Sequence, residues 1–158
     1  MKTDPVVSLV ERLKEKGLSL ATAESCTGGL LGKRITDVSG ASAVYPGGVV
    51  SYSNAVKAKL LGVCEDDLRA FGAVSEPVAR QMAEGVRNSI GADLGVGITG
   101  IAGPKSDDTK KPVGLVYIAA SKGESTLCTE FHFSGDRAEI RQQSTDEAAR
   151  LVLKLIEM

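Results

Sequence analysis

The sequence predicts an α/β protein: one three-layer α/β/α domain over residues 1–158 with a mixed central sheet. Three observations predict it. Apolar runs of strand length alternate with segments whose apolar residues recur at helical spacing. Glycines and capping residues punctuate most junctions between them. Near the C-terminus two strand-like runs, Val113 to Ser121 and Ser125 to Phe133, are separated only by Lys122-Gly123-Glu124. That short turn makes a hairpin and brings antiparallel pairing into the sheet.

The elements follow in order. Val6, Val10 and Leu13 share one helical face, and Gly17 ends that helix. Leu18 to Ala23 reads as the first strand and Gly28 to Val38 as the next helix, stopped near Ser39-Gly40. Val44 to Gly48 is turn-rich and Val49 to Ser53 is a strand. Asn54 caps a helix over Ala55 to Leu61, closed by Gly62. A short helix covers Glu65 to Phe71. Ser75-Glu76-Pro77 opens a longer one with a capping hydroxyl, an acidic first turn and an early proline, and Val78, Met82 and Val86 lie on its inner face. Leu94 to Thr99 is a glycine-diluted strand and Gly100 to Pro112 a loop. Asp136 to Glu157 is the final helix, with Ala148, Leu151, Val152, Leu155 and Ile156 as its stripe.

Composition narrows the function classes. A chain of 158 residues can bury a core without disulfides or metals. A net charge of −1 gives no electrostatic case for nucleic acid or acidic membranes, and three Phe, three Tyr and no Trp make a poor base-stacking platform. The N-terminal segment mixes charge through its apolar positions, so it reads as neither signal peptide nor membrane span. Cys26, Cys64 and Cys128 have no metal-like spacing and suggest reduced thiols in a cytoplasmic protein. One histidine is too few for a clustered zinc site.

The most informative stretch is Ala23-Glu-Ser-Cys-Thr-Gly-Gly29, where a strand passes into a helix. A helix start has unpaired N–H groups and the positive end of the macrodipole, so it can hold an oxyanion or phosphate. The glycines permit close approach of a ligand. Chemistry is therefore expected near Ser25.

A serine needs a base. His132 is the one histidine, but it sits in a strand between Phe131 and Phe133, which share the opposite face, and no aspartate orients it. It reads as a solvent-facing or satisfied strand residue. Lysine replaces histidine when burial lowers its proton affinity. Tyr52-Ser-Asn-Ala-Val-Lys57 places such a group about one turn into a helix, with Lys59 as a rival on another face. Taken alone, a strand tyrosine is ordinarily packing and a helix lysine ordinarily solvated. Gly97-Ile-Thr-Gly-Ile-Ala-Gly-Pro104 is either a close-approach loop for phosphate or ribose or a tightly packed turn; it is neither a dinucleotide fingerprint nor a P-loop. Asp107, Asp108, Lys110 and Lys111 read as solvated loop charge. Arg137 can fork onto a phosphate or carboxylate or pair with a surface acid, and Arg141 is a second candidate one turn on.

Together these segments resemble the CinA C-terminal domain family, whose enzymes are nicotinamide-nucleotide amidases (NMN deamidases). The resemblance runs from Thr22 to Gly29 through Gly47-Gly-Val-Val-Ser-Tyr-Ser-Asn54 and Lys57. It continues through Leu60-Leu-Gly-Val63, Ala73-Val-Ser-Glu-Pro77, Thr99-Gly-Ile-Ala-Gly-Pro104 and Gly135-Asp-Arg137. It implies hydrolysis of the carboxamide of nicotinamide mononucleotide (NMN) to nicotinate mononucleotide and ammonia, with no metal or organic cofactor. Ser25 would be the nucleophile, Lys57 its general base and Tyr52 an aid to proton movement. Cys26, Thr27, Gly28, Gly29, Thr99, Gly100 and Arg137 would bind substrate. The resemblance also implies a homodimer. Many family members carry a further N-terminal domain associated with competence proteins and a nucleotide pyrophosphatase activity; only the deamidase is expected of this sequence. The Lys105-Ser-Asp-Asp108 loop is more charged than the family pattern. The alternative is a non-catalytic nucleotide-binding or competence-associated partner module.

Overall fold

A computed structural model describes residues 3–106 and 110–158; Asp107 and Asp108 lie outside the described residues. The strands are β1 (Leu20–Glu24), β2 (Gly47–Val50), β3 (Leu94–Gly100), β4 (Leu115–Lys122) and β5 (Ser125–His132). The helices are α1 (Pro5–Lys16), α2 (Leu30–Thr36), α3 (Asn54–Leu61), α4 (Glu65–Phe71), α5 (Glu76–Ile90) and α6 (Arg137–Ile156), with a single 3₁₀ turn at Ala41–Ala43. The sheet order is β2-β1-β3-β4-β5. β1 pairs in parallel with both β2 and β3, whereas β3–β4 and β4–β5 are antiparallel. The α/β fold with a mixed sheet is the one the sequence predicts.

Strand alternation assigns the two faces. Leu20, Leu94, Val96, Ile98, Val116, Ile118 and Ala120 point into one core with α1, α2 and α6. Ala21 and Ala23 point the other way, toward Val78, Met82 and Val86 of α5 and Leu61 of α3. The glycine dilution of β3 has a packing cause. A Cβ on Gly97 would sit 2.8 Å from the Ala83 nitrogen and 2.9 Å from the Ala79 carbonyl oxygen, so its absence lets α5 lie directly on the sheet.

Several boundaries differ from expectation. β2 begins at Gly47 because pairing with Ala21 and Thr22 of β1 overrides the turn propensity of Gly47-Gly48. It ends at Val50, so Ser51 to Ser53 already lead toward α3. Ser53, not Asn54, caps α3: its hydroxyl accepts from the Val56 N–H at 3.2 Å. The Ser75 hydroxyl donates to the Gly72 carbonyl at 2.9 Å and makes no capping bond to α5. α2 starts at Leu30, two residues late, because Gly28 and Gly29 take φ of 56° and 102°, outside helical space.

Two devices fix the elements that carry the site. Arg34 of α2 donates to Asp146 (2.7 Å) and Thr145 (2.6 Å) of α6 and to Asp4 (3.0 Å), the cap of α1. At the start of α6, Asp136 accepts from the Glu139 N–H while the Glu139 carboxylate accepts from the Asp136 N–H, a reciprocal capping box. On the outer strand β5 and just past its end, Phe131 and Phe133 stack at 5.1 Å and pack against the core. Glu130 on the opposite face accepts from the Tyr117 hydroxyl and lies 2.7 Å from His132 Nε2. Among the described residues no helix is long and apolar enough to cross a membrane.

Candidate active site

The connection after β1 leads to α2 on one face of the sheet, while that after β2 leads to α3 on the other. Such a divergence opens a crevice at the carboxyl ends of the strands. The ladder continues one residue past β1 on both sides: Ser25 N–H donates to the Ile98 carbonyl (3.0 Å), and Ser51 N–H donates to the Glu24 carbonyl (2.8 Å). Ser25 and the Ser51 carbonyl are thereby set on neighbouring strand ends.

Into this crevice α3 projects Lys57, only 1% exposed. Its Nζ lies 3.1 Å from Ser25 Oγ, donates to the Ser51 carbonyl at 2.7 Å, and lies 3.4 Å from the Tyr52 carbonyl. Burial lowers its pKa from the ordinary 10.5 to about 8. A neutral amine has two N–H donors and one lone pair. Nζ faces two carbonyls and one hydroxyl: as the ammonium it donates to all three, and as the neutral amine it keeps the carbonyls and turns its lone pair to the Ser25 hydroxyl. Cys26, next to the serine, is a thiol: burial pushes its pKa up to about 12, so it does not compete as a nucleophile.

A cleft of about 570 Å³ opens above this pair. Ser25, Cys26, Tyr52, Lys57, Thr99, Gly100 and Arg137 all line it, so the structure brings these expected residues together. The glycine loop to Pro104 forms one wall and Ala73-Val74 another. Thr99 donates to the Ala73 carbonyl at 2.9 Å, which leaves its hydroxyl oxygen only as an acceptor toward the cleft. Lys111 donates to the Phe71 and Val74 carbonyls, both at 2.6 Å. It is a strut for that wall rather than solvated charge. Arg137 Nη1 donates to the Gly103 carbonyl at 2.7 Å, and Nη2 reaches the Tyr52 hydroxyl at 3.5 Å.

Four expectations are corrected. Thr27 is fully buried and, like Gly28 and Gly29, does not line the cleft; the positive φ values of the glycines turn that segment toward α6. The Tyr52 side chain is 64% exposed at the cleft mouth, and only its backbone carbonyl reaches Lys57. The start of α2 offers no free anion site, because the buried Glu24 carboxylate accepts from the Leu31 (2.8 Å) and Gly32 (3.0 Å) N–H groups. Arg141 does not substitute for Arg137. Its Nε donates to the Cys26 carbonyl (3.1 Å) and its Nη2 to the Thr27 carbonyl (2.9 Å). Sequence reasoning missed the roles of Glu24 and Arg141. An acid just before a helix start was a readable capping signal for the first, and the i, i+4 spacing from Arg137 for the second. His132 lies on β5 with Glu130 and is not among the residues lining the cleft.

Comparison with known proteins agrees with this architecture. A family model described as the CinA C-terminal domain matches residues 3–156. A CinA-like protein of Syntrophus aciditrophicus (strain SB) is 52% identical over 143 residues, covering 90% of this chain and 34% of that protein. A CinA-like protein of Anaeromyxobacter dehalogenans (strain 2CP-C) is 49% identical over 144 residues, covering 91% and 35%. The chain thus spans little more than a third of these relatives. Solved structures match nearly end to end. The competence/damage inducible protein CihA from Agrobacterium tumefaciens superposes with a TM-score of 0.91 at 37% identity, covering 99% of this chain and 98% of that one. Competence damage-inducible protein A (ComA) from Klebsiella pneumoniae gives 0.93 at 30% identity, covering 99% and 98%.

Proposed function

This chain belongs to the CinA C-terminal domain family, and on that premise we propose that it is an amidohydrolase that converts NMN to nicotinate mononucleotide and ammonia. One observation carries the reading: a buried lysine with lowered proton affinity, 3.1 Å from the hydroxyl of Ser25. That pair has no evident structural need for a charge and has the form of an activated nucleophile.

Neutral Lys57 takes the Ser25 proton as Oγ attacks the carboxamide carbon, giving a tetrahedral oxyanion. Collapse breaks the C–N bond, and Lys57 returns the proton to the departing nitrogen, which leaves as ammonia. Water then attacks the Ser25 ester, passing a proton through Lys57 back to Oγ and releasing the carboxylate. The Ser51 and Tyr52 carbonyls hold Nζ in place through both steps. Besides Lys57, the described residues lining the cleft include the cations Lys105 and Arg137 and no carboxylate, which supports an anionic, phosphate-bearing substrate over its riboside or free nicotinamide. Tyr52, beside Arg137, contributes a ring to the mouth.

The test is ammonia release from NMN by the purified protein, with Ser25→Ala as control. Turnover that disappears in the variant supports the reading. NMN binding without turnover by the folded wild type would favour a nucleotide-binding module instead.

A further inference from the structure

The turn Ser25 to Gly28 is pinned almost atom by atom. Ser25 N–H is bonded to Ile98, and the Gly28 N–H donates to the Ser25 carbonyl at 3.1 Å. The Cys26 carbonyl accepts from Arg141, and the Thr27 carbonyl accepts from both Arg141 and the Leu30 N–H (2.9 Å). Among the described residues, the N–H of the cleft-lining Cys26 makes no hydrogen bond to another residue. In a trans peptide the N–H points opposite to the C=O of the same unit. The Ser25 carbonyl turned to Gly28 therefore directs the Cys26 N–H away from that turn. The Thr27 carbonyl held by Arg141 fixes the plane of the Thr27–Gly28 peptide, and with it the Gly28 N–H that holds the Ser25 carbonyl. A Cβ on Gly28 would come within 3.3 Å of Arg141 Nη2, at a φ that already favours glycine, so the turn is shaped to admit the guanidinium.

We infer that Arg141 is a positioning residue for oxyanion stabilisation: by gripping the Cys26 and Thr27 carbonyls from α6, it holds the turn that fixes the Cys26 N–H as a donor for the charge that develops on the acyl oxygen at Ser25. The cation also polarises the Thr27–Gly28 peptide, strengthening the Gly28 N–H bond to the Ser25 carbonyl. Arg141 touches no reacting atom. This inference rests on the amidase reading for its substrate, but not for its readout.

The test compares wild type with Arg141→Ala and Arg141→Lys by two measurements. One is NMN-dependent ammonia release. The other is the rate at which a fluorophosphonate labels Ser25, followed by mass spectrometry, since its P=O oxygen needs the same donor. Arg141→Ala is expected to lower kcat and labelling rate by about 10- to 100-fold with KM changed less than about twofold. Added guanidinium, at concentrations well below denaturing, is expected to restore part of both. Arg141→Lys, which keeps the charge and loses the fork, is expected to fall about tenfold, and it carries the comparison alone if the alanine variant does not fold. A wild type labelled at Ser25 that leaves NMN intact removes the proposed substrate and leaves this inference to be judged on labelling rates. Unchanged labelling in a folded variant, a loss that guanidinium does not relieve, or a wild type whose Ser25 does not react would overturn it.

Discussion

The sheet has two halves that behave differently. In the parallel half, β2-β1-β3, all three strands end at one edge, and each delivers a piece of the cleft there: Lys57 after β2, Ser25 after β1, and Thr99 with the glycine loop at the end of β3. In the antiparallel half, the β4–β5 hairpin turns at the far edge and returns a single segment. That segment opens α6, bringing Arg137 and Arg141 to the cleft side. Parallel pairing thus concentrates chemistry, because neighbouring strand ends lie about 5 Å apart and point the same way. The hairpin completes the core and supplies the supports.

This contrast is most severely tested at the nucleophile pair. Ser25→Ala or Lys57→Met should each lower NMN turnover by about 10³-fold or more, with circular dichroism and melting temperature showing an intact fold. Retained turnover in either would break the assignment of chemistry to the parallel half. Next in size is packing. Gly97→Ala places a methyl against the Ala79 and Ala83 backbone and should cost about 2–3 kcal/mol in urea denaturation. Thr129→Ala, at an exposed position of β5, should stay within about 0.5 kcal/mol.

A smaller effect concerns pH. With Lys57 titrating near 8, kcat/KM should rise with pH through that value, gaining about tenfold from pH 7 to 9 as the neutral amine accumulates. The linkage has the same origin. The folded pKa is depressed below the unfolded 10.5, so between these values the unfolded chain binds more protons and stability rises with pH. Relative to Lys57→Met, the wild type should therefore gain stability from pH 8 toward 10.5 and show no trend from this group below 8. The smallest effect is expected at His132→Ala, which should leave turnover within about twofold and stability within about 0.5 kcal/mol. A large loss there would erase the division between the halves.

Much of this was legible because it is local. The helix of α4, the Gly62 stop and the inner face of α5 follow from residues a few positions apart. Ser25 and Lys57 stood out by residue type and junction, yet nothing in their 32-residue separation says that they touch; the parallel pairing of β1 and β2 does. Arg141 was harder. Its targets are backbone carbonyls 115 and 114 residues away, and carbonyls carry no residue-specific signature. Tyr52 misled because the strand ends three residues earlier than its pattern suggests, so the side chain emerges at the mouth.

The outer strand β5 carries a different burden. An edge strand presents a row of unpaired backbone groups, a template on which another chain can crystallise into a growing sheet. Its outward residues here include Glu130 and His132, with Glu130 hydrogen-bonded to Tyr117 of the neighbouring strand. A charge held upright on the edge is an obstacle to edge-to-edge stacking. The polar cluster on the half of the sheet without the nucleophile pair thus stands where another strand would have to pair. The hairpin that leaves catalysis to its neighbours carries the charge at the sheet's open edge.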